Sequence, residues 1–189
     1  MNLSSVAVKL DNTSVAASTL AHTAITNGYS FTYTPASALS DGAHTVHVAA
    51  SDNDGNAATA KSTTFTVDTV PPTLNLTAPT DGLITNSASL NVFGSTNDAT
   101  SSPVTITIKL NGADQGAITV SSSGSFTKSV ILKEGSNTLV VTATDAAGKT
   151  SNVTRTVTLD TSVPVISDAV ITPNPADAGA TVVITVTIS

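Results

Sequence analysis

Residues 63–82 read TTFTVDTVPPTLNLTAPTDG. Toward the other end, residues 155–175 read RTVTLDTSVPVISDAVITPNP. Each is an alternating strand, then Asp-Thr, then proline, then a second apolar strand. Pro71 and Pro72 fix φ and hold the residue before them extended. Asp-Thr-Val-Pro-Pro therefore reads as a short stiff joint, not a flexible Gly/Ser linker. Two such joints in one chain mean a repeat.

Working outward, the flanks of both joints match each other. SVAVKLDN (5–12) corresponds to PVTITIKLNG (103–112). GYSFTYTP, opening at Gly28, begins a run that ends in TFTVDT, and SGSFTKSV, opening at Ser123, begins one that ends in TVTLDT. PPTLNLTAP and the later VPVISDAVITPNP correspond more loosely. The repeat divides the chain into 1–68, 69–160 and 161–189. The middle unit predicts seven strands, at 74–78, 88–94, 104–110, 117–121, 125–132, 137–145 and 153–159.

Period-2 alternation sets the faces. Val104, Ile106, Ile108 and Leu110 share one side of their segment, and Thr105, Thr107 and Lys109 the other. Short strands separated by Gly, Asn, Asp and Pro, with no helical periodicity, predict an all-β architecture, a sandwich or a barrel. Composition agrees: apolar residues are 40% of 189, charged residues only 11%, and Thr, Ser, Val, Ala and Ile fill most of the rest. Such side chains suit a pleated, half-buried surface.

Several classes are excluded or disfavoured. The net charge of −6 and the lack of a basic run argue against a nucleic-acid partner. With no Cys, neither a disulfide framework nor a thiolate metal site can form. No apolar run approaches the roughly 18–20 residues of a membrane helix. No hydrolase, zincin or phosphate-loop motif occurs. His44 and His47 are an odd number apart on one strand, so they face opposite ways and read as surface or strand-end residues. The expectation is a protein that is not an enzyme and requires no cofactor.

These motifs resemble the bacterial immunoglobulin-like repeats of large prokaryotic surface proteins. The resemblance rests on D-T-x-P-P joints, NG at 111–112, GSF at 124–126, EGSNTLVVTATDAAG at 134–148 and TVTLD at 156–160. It spans essentially the whole chain and implies tandem immunoglobulin-like sandwiches, located outside the cell or on its surface. It implies a stalk, a spacer or an adhesive arm, and no specific ligand.

Both terminal units look incomplete. Unit 1 opens on the segment equivalent to the third strand of the middle unit, and residues 161–189 hold only the first two. The five residues from Asp160 to Val165 reach at most about 18 Å, whereas a sandwich is roughly 26–33 Å long. The tail is therefore not expected to complete unit 1 of its own chain. Two explanations stay open. Either the chain boundaries fall inside domains, or the tail completes unit 1 of the next molecule, giving a head-to-tail filament. In the second case Val182, Ile184, Val186 and Ile188 would meet Val6, Val8 and Leu10. The partners are then further copies, or neighbouring repeats of a longer chain.

Two places are candidates for calcium. In SDNDGNAA (51–58), Asp52, Asp54 and Asn56 offer hard oxygens at alternating positions around Gly55, although an Asp/Asn/Gly turn has the same composition. Asp145 keeps the corresponding place in TDAAGKTS. The second place is the joints. The resemblance implies that Asp68 with Asp81, or Asp160 with Asp168 or Asp177, could bind calcium there. A competing reading is an adhesin or carbohydrate-binding arm with a glycan or host-surface ligand. It needs an aromatic platform, and aromatics are only 3% of the chain.

Overall fold

The computed structural model describes residues 3–98, 100–172 and 174–188. It is all-β, with tandem immunoglobulin-like sandwiches. Unit 1 holds β1 (Ala7–Leu10), β2 (Thr13–Ser14), β3 (Ala21–Ile25), β4 (Gly28–Thr32), β5 (Gly42–Ala49) and β6 (Lys61–Val67). One sheet has the order β2-β1-β5-β6, and β3 pairs with β4. Unit 2 holds β7 (Thr73–Ala78), β8 (Leu83–Thr85), β9 (Ser89–Asn97), β10 (Thr105–Leu110), β11 (Ala113–Asp114), β12 (Ser125–Ile131), β13 (Gly135–Thr144) and β14 (Thr150–Leu159). Its sheets run β11-β10-β13-β14-β8 and β12-β9-β7. A last hairpin pairs β15 (Ile166–Thr172) with β16 (Val183–Ile188).

Alternation fixes which residues meet between the sheets of unit 2. Ile106, Ile108 and Leu110 of β10 point inward beside Leu139, Val141 and Ala143 of β13. Leu90, Val92, Phe126 and Val130 close over them from the other sheet. Each fully buried side chain of this size contributes about 1.5–3 kcal/mol. Gly94 is required where β7, β9 and β12 meet: a Cβ there would strike the Asn75 carbonyl and lie 2.9 Å from the Phe126 ring. Three features differ from the sequence expectation, the first being the two-residue β11, which was not anticipated. The strand anticipated at 117–121 is reduced to one bridge, Val120 to Phe126. An unanticipated β8 adds in parallel to the edge of β14; three residues are too few to show a period.

Unit 1 repeats half of this design. Residues equivalent to the sealed core of unit 2 line an open trough of about 430 Å³ bounded by Val8, Leu10, Phe31, Tyr33, Val46 and Phe65, among others. Val141 and Val157 of unit 2 are 0% exposed, whereas Val48 and Phe65 in the same repeat positions are 38% and 40% exposed. Unit 2 covers these positions with β7 and β9, and among the described residues unit 1 has no such cover. Val6 escapes, at 8%, and it lies beside the 3₁₀ turn Leu3–Ser5.

The β15/β16 hairpin shows the converse. Every described residue of both strands is exposed. Their register places Ile166 opposite Ile188, Ala169 opposite Val186 and Ile171 opposite Ile184. Cross-strand partners project to one side, so these six apolar residues share a face. Asp168, Val170, Thr172, Val183, Thr185 and Thr187 lie on the other.

Candidate functional site

The joint between units is set by two local bonds. Thr69 donates its N–H to Asp41 Oδ1 at 2.9 Å and its hydroxyl to Oδ2 at 3.0 Å. Asp68 Oδ1 accepts the Val70 N–H at 3.0 Å. The second joint repeats both. Thr161 donates to the two carboxylate oxygens of Glu134, and Asp160 Oδ1 accepts the Ser162 N–H. The repeated Asp-Thr is thus an anchor: Asp closes a turn onto the strand that follows, and Thr ties the end of the last strand to the start of its neighbour.

Folding brings Asp68 to two other carboxylates, Asp98 and Asp145, with ligand oxygens all within 4.8 Å of one another. Asp98 follows β9 and accepts the N–H groups of Thr100 and Ser101 at 2.8 Å each. Asp145 follows β13 and accepts the Lys149 N–H at 2.8 Å. Asp68 and Asp145 are 7% and 5% exposed. The Oδ2 atoms of both are buried and have no hydrogen-bond partner among the described residues. Leaving a buried charged oxygen unpaired is costly, and like charges at this separation repel. A hard cation meets both demands. Calcium takes six to eight oxygens at about 2.3–2.6 Å, so oxygens on opposite sides of one ion lie up to about 5 Å apart. The cluster spacing fits that limit.

The other sequence-derived candidates fall elsewhere. Asp52 spends its carboxylate on its own loop: Oδ1 accepts the N–H groups of Asp54 and Asn56, and Oδ2 accepts the Asn56 side-chain amide. These bonds, the Asn56 side chain foremost, hold its pKa below the ordinary 3.8. Asp54 and Asn56 are exposed. Asp81 accepts the Thr156 N–H at 2.8 Å, within unit 2. Asp160 and Asp168 are exposed and are not part of the acidic cluster. Asp98 had no sequence signal, since it joins the group only when the ends of β9 and β13 reach the joint.

A second polar assembly was also illegible. His44, expected at the surface, is 6% exposed and stacks on Phe65 with ring centroids 5.5 Å apart. Its Nδ1 donates to Asp11 Oδ2 at 2.6 Å and its Nε2 to the Ser40 carbonyl at 2.7 Å. Carboxylate and carbonyl are both acceptors, so both contacts are satisfied together only when both ring nitrogens carry protons and the ring is cationic. The Asp11 bond raises the His44 pKa above 6.5, and the His44 bond lowers that of Asp11 below 3.8. In unit 2 the same places hold Asn111 and Asn137. Asn111 donates to Asn137 Oδ1 at 2.9 Å, and Asn137 donates to the Lys133 carbonyl at 2.7 Å.

Residues 2–69 match the family described as Bacterial Ig-like domain. Residues 72–161 match Glucodextranase, domain B. Among curated proteins none matches. Among solved structures, the chain is similar to the fibronectin(III)-like modules of Clostridium thermocellum CbhA, at 16% identity and a TM-score of 0.49, over 83% of this chain and 78% of that one. It is also similar to the Bacteroides ovatus mixed-linkage glucan utilization locus protein SGBP-B, solved with a mixed-linkage heptasaccharide. That match has 16% identity and a TM-score of 0.26, over 90% of this chain and 41% of that one. The match to a bacterial Ig-like domain thus ends at the first Asp-Thr joint, and the match to glucodextranase domain B ends at the second.

Proposed function

We propose that this chain is a structural segment of an extracellular stalk or filament, with no catalytic step of its own. Its role is to hold direction between successive sandwiches. The observation that carries this reading is the joint. A proline-stiffened connection ends in two buried, unpartnered carboxylate oxygens, on Asp68 and Asp145, beside Asp98. Calcium bound there would tie the end of unit 1 to two loops of unit 2 and remove the hinge. No helix among the described residues is long and apolar enough to cross a membrane, so any attachment to a surface by a helix would come from another segment or partner.

Calorimetry in calcium and in chelator tests the reading. A ligand at about 100 times its Kd adds about 2.7 kcal/mol of stability, and each kcal/mol moves the Tm of a domain this size by about 4–8 °C. Chelation should lower the unit 2 transition by about 10–20 °C, and Asp145→Asn should abolish the difference. Identical melting in both buffers removes the cation brace.

The filament form of this reading has its own support, in the uncovered trough of unit 1 and the exposed hairpin at 166–188. The sugar-binding alternative gains less. One groove, about 700 Å³ beside β7, β9 and β10, is lined by Ser, Thr and Asn, by Asp98, and by apolar residues such as Val104, Ile118 and Val120, with no aromatic wall among the described residues.

A further inference from the structure

We infer that the β15/β16 hairpin of one copy is the missing cover of unit 1 in another copy, and that it docks in one defined register. This deepens the filament form of the proposed function and rests on it. Unit 2 supplies the template, because it shows what lies over the same face when a sandwich is whole.

In unit 2, β9 pairs with β12 on one side and β7 on the other. Unit 1 has the equivalent of β12 in β4. One edge of β4 is taken by β3, and the edge that would receive a β9 equivalent has no ladder among the described residues. The tail has equivalents of β7 and β9 already paired as a hairpin. Its apolar face carries no cover among the described residues, and its other face mixes Asp168 and three threonines with Val170 and Val183. Trough and hairpin are thus two half-sandwiches, each exposing what the other lacks. An unpaired strand edge and an uncovered apolar face both favour addition of a strand.

The repeat fixes the register. Counting from Asp68 and Asp160 makes Ile166 the equivalent of Leu74, and the hairpin pairing then aligns Val182, Ile184 and Val186 with Leu90, Val92 and Gly94. In unit 2, Gly94 lies opposite Phe126, Val92 opposite Lys128 and Leu90 opposite Val130. Carried onto unit 1, Val186 faces Phe31, Ile184 faces Tyr33 and Val182 faces Pro35. All three acceptor residues line the trough. On the solvent side the same register sets Thr185 against Thr32, as Phe93 stands against Thr127. A donor site and an acceptor site on opposite ends of one chain generate an open array.

The absence of Cys makes the register directly testable in the 189-residue chain. Both threonines are exposed, so Thr32→Cys with Thr185→Cys leaves the fold intact. On mild oxidation this pair should give a ladder of covalent multimers, while each single variant stops at dimer. In sedimentation velocity, wild type should shift to larger species with concentration. Ile184→Asp, at an exposed position, should abolish the shift, and Thr187→Asp on the opposite face should not. A monomer at every concentration, closed dimers alone, or a ladder that persists with Ile184→Asp would each overturn the inference. None of these outcomes touches calcium-dependent melting, so this proposal and the braced joint fail separately.

Discussion

His44 and Asn137 occupy one place in two repeats and solve one problem with different chemistry. Each must satisfy a loop carbonyl and a neighbouring side chain at the end of a sandwich. Asn137 does so without charge. His44 does so only while protonated. Its pKa is raised above 6.5, so its contribution is complete below about 6.5 and is lost as pH rises through the raised value. Asp11 is lowered below 3.8, so its contribution is present above 3.8 and is lost as pH falls through the lowered value. The window of greatest latch strength lies between them. Melting of unit 1 should weaken on going from about pH 6 to alkaline pH, while that of unit 2 stays flat. Asp11→Asn with His44→Asn, which copies the neutral latch, should remove the slope. The pair was invisible in the sequence because Asp11 sits on the turn after β1 and His44 on β5, and they meet only once those strands pair. The Asp-Thr joint was legible, because proline and strand alternation are local.

Elements show the difference between a covered and an uncovered face. Leu139 on β13 is 0% exposed, and Leu139→Ala should cost about 2–5 kcal/mol. Val46 holds the same repeat position on β5 but lines the trough. Its truncation should cost well under that in dilute chain, and more once the trough is filled. Denaturant melts of each variant at low and high protein concentration give the comparison. Gly94→Ala on β9 forces a methyl against the Asn75 carbonyl and the Phe126 ring, so unit 2 should lose at least about 1–3 kcal/mol. A Tm unchanged by that substitution would mean that β7 and β9 are not packed as described. Most strands were readable from alternation alone. The exceptions have physical reasons: β8 is held by one parallel ladder to β14 rather than by its own pattern, and Val120 keeps only a single bridge beside a turn rich in serine.

For the whole molecule, the Asp-Thr joints were legible and the acidic cluster only partly so. Asp68 announced itself through its joint. Asp98 and Asp145 reach it from the ends of two different strands, and no spacing rule connects three such loops before the sandwich forms. The open trough of unit 1 has a measurable outcome. Below the assembly range the chain should melt in two steps, the lower from unit 1 with its open trough. A synthetic peptide of residues 162–189 should raise that lower step and leave the upper one alone. One transition with no response to the peptide would mean that the trough is not the weak part.

Thr69 on Asp41 and Thr161 on Glu134 are the same knot tied twice. Where a local knot sets the angle between one body and the next, repeating it adds the same rotation each time. Many such bodies in series would wind into a coil of constant pitch. Under tension that coil would lengthen like a spring before any strand had to part.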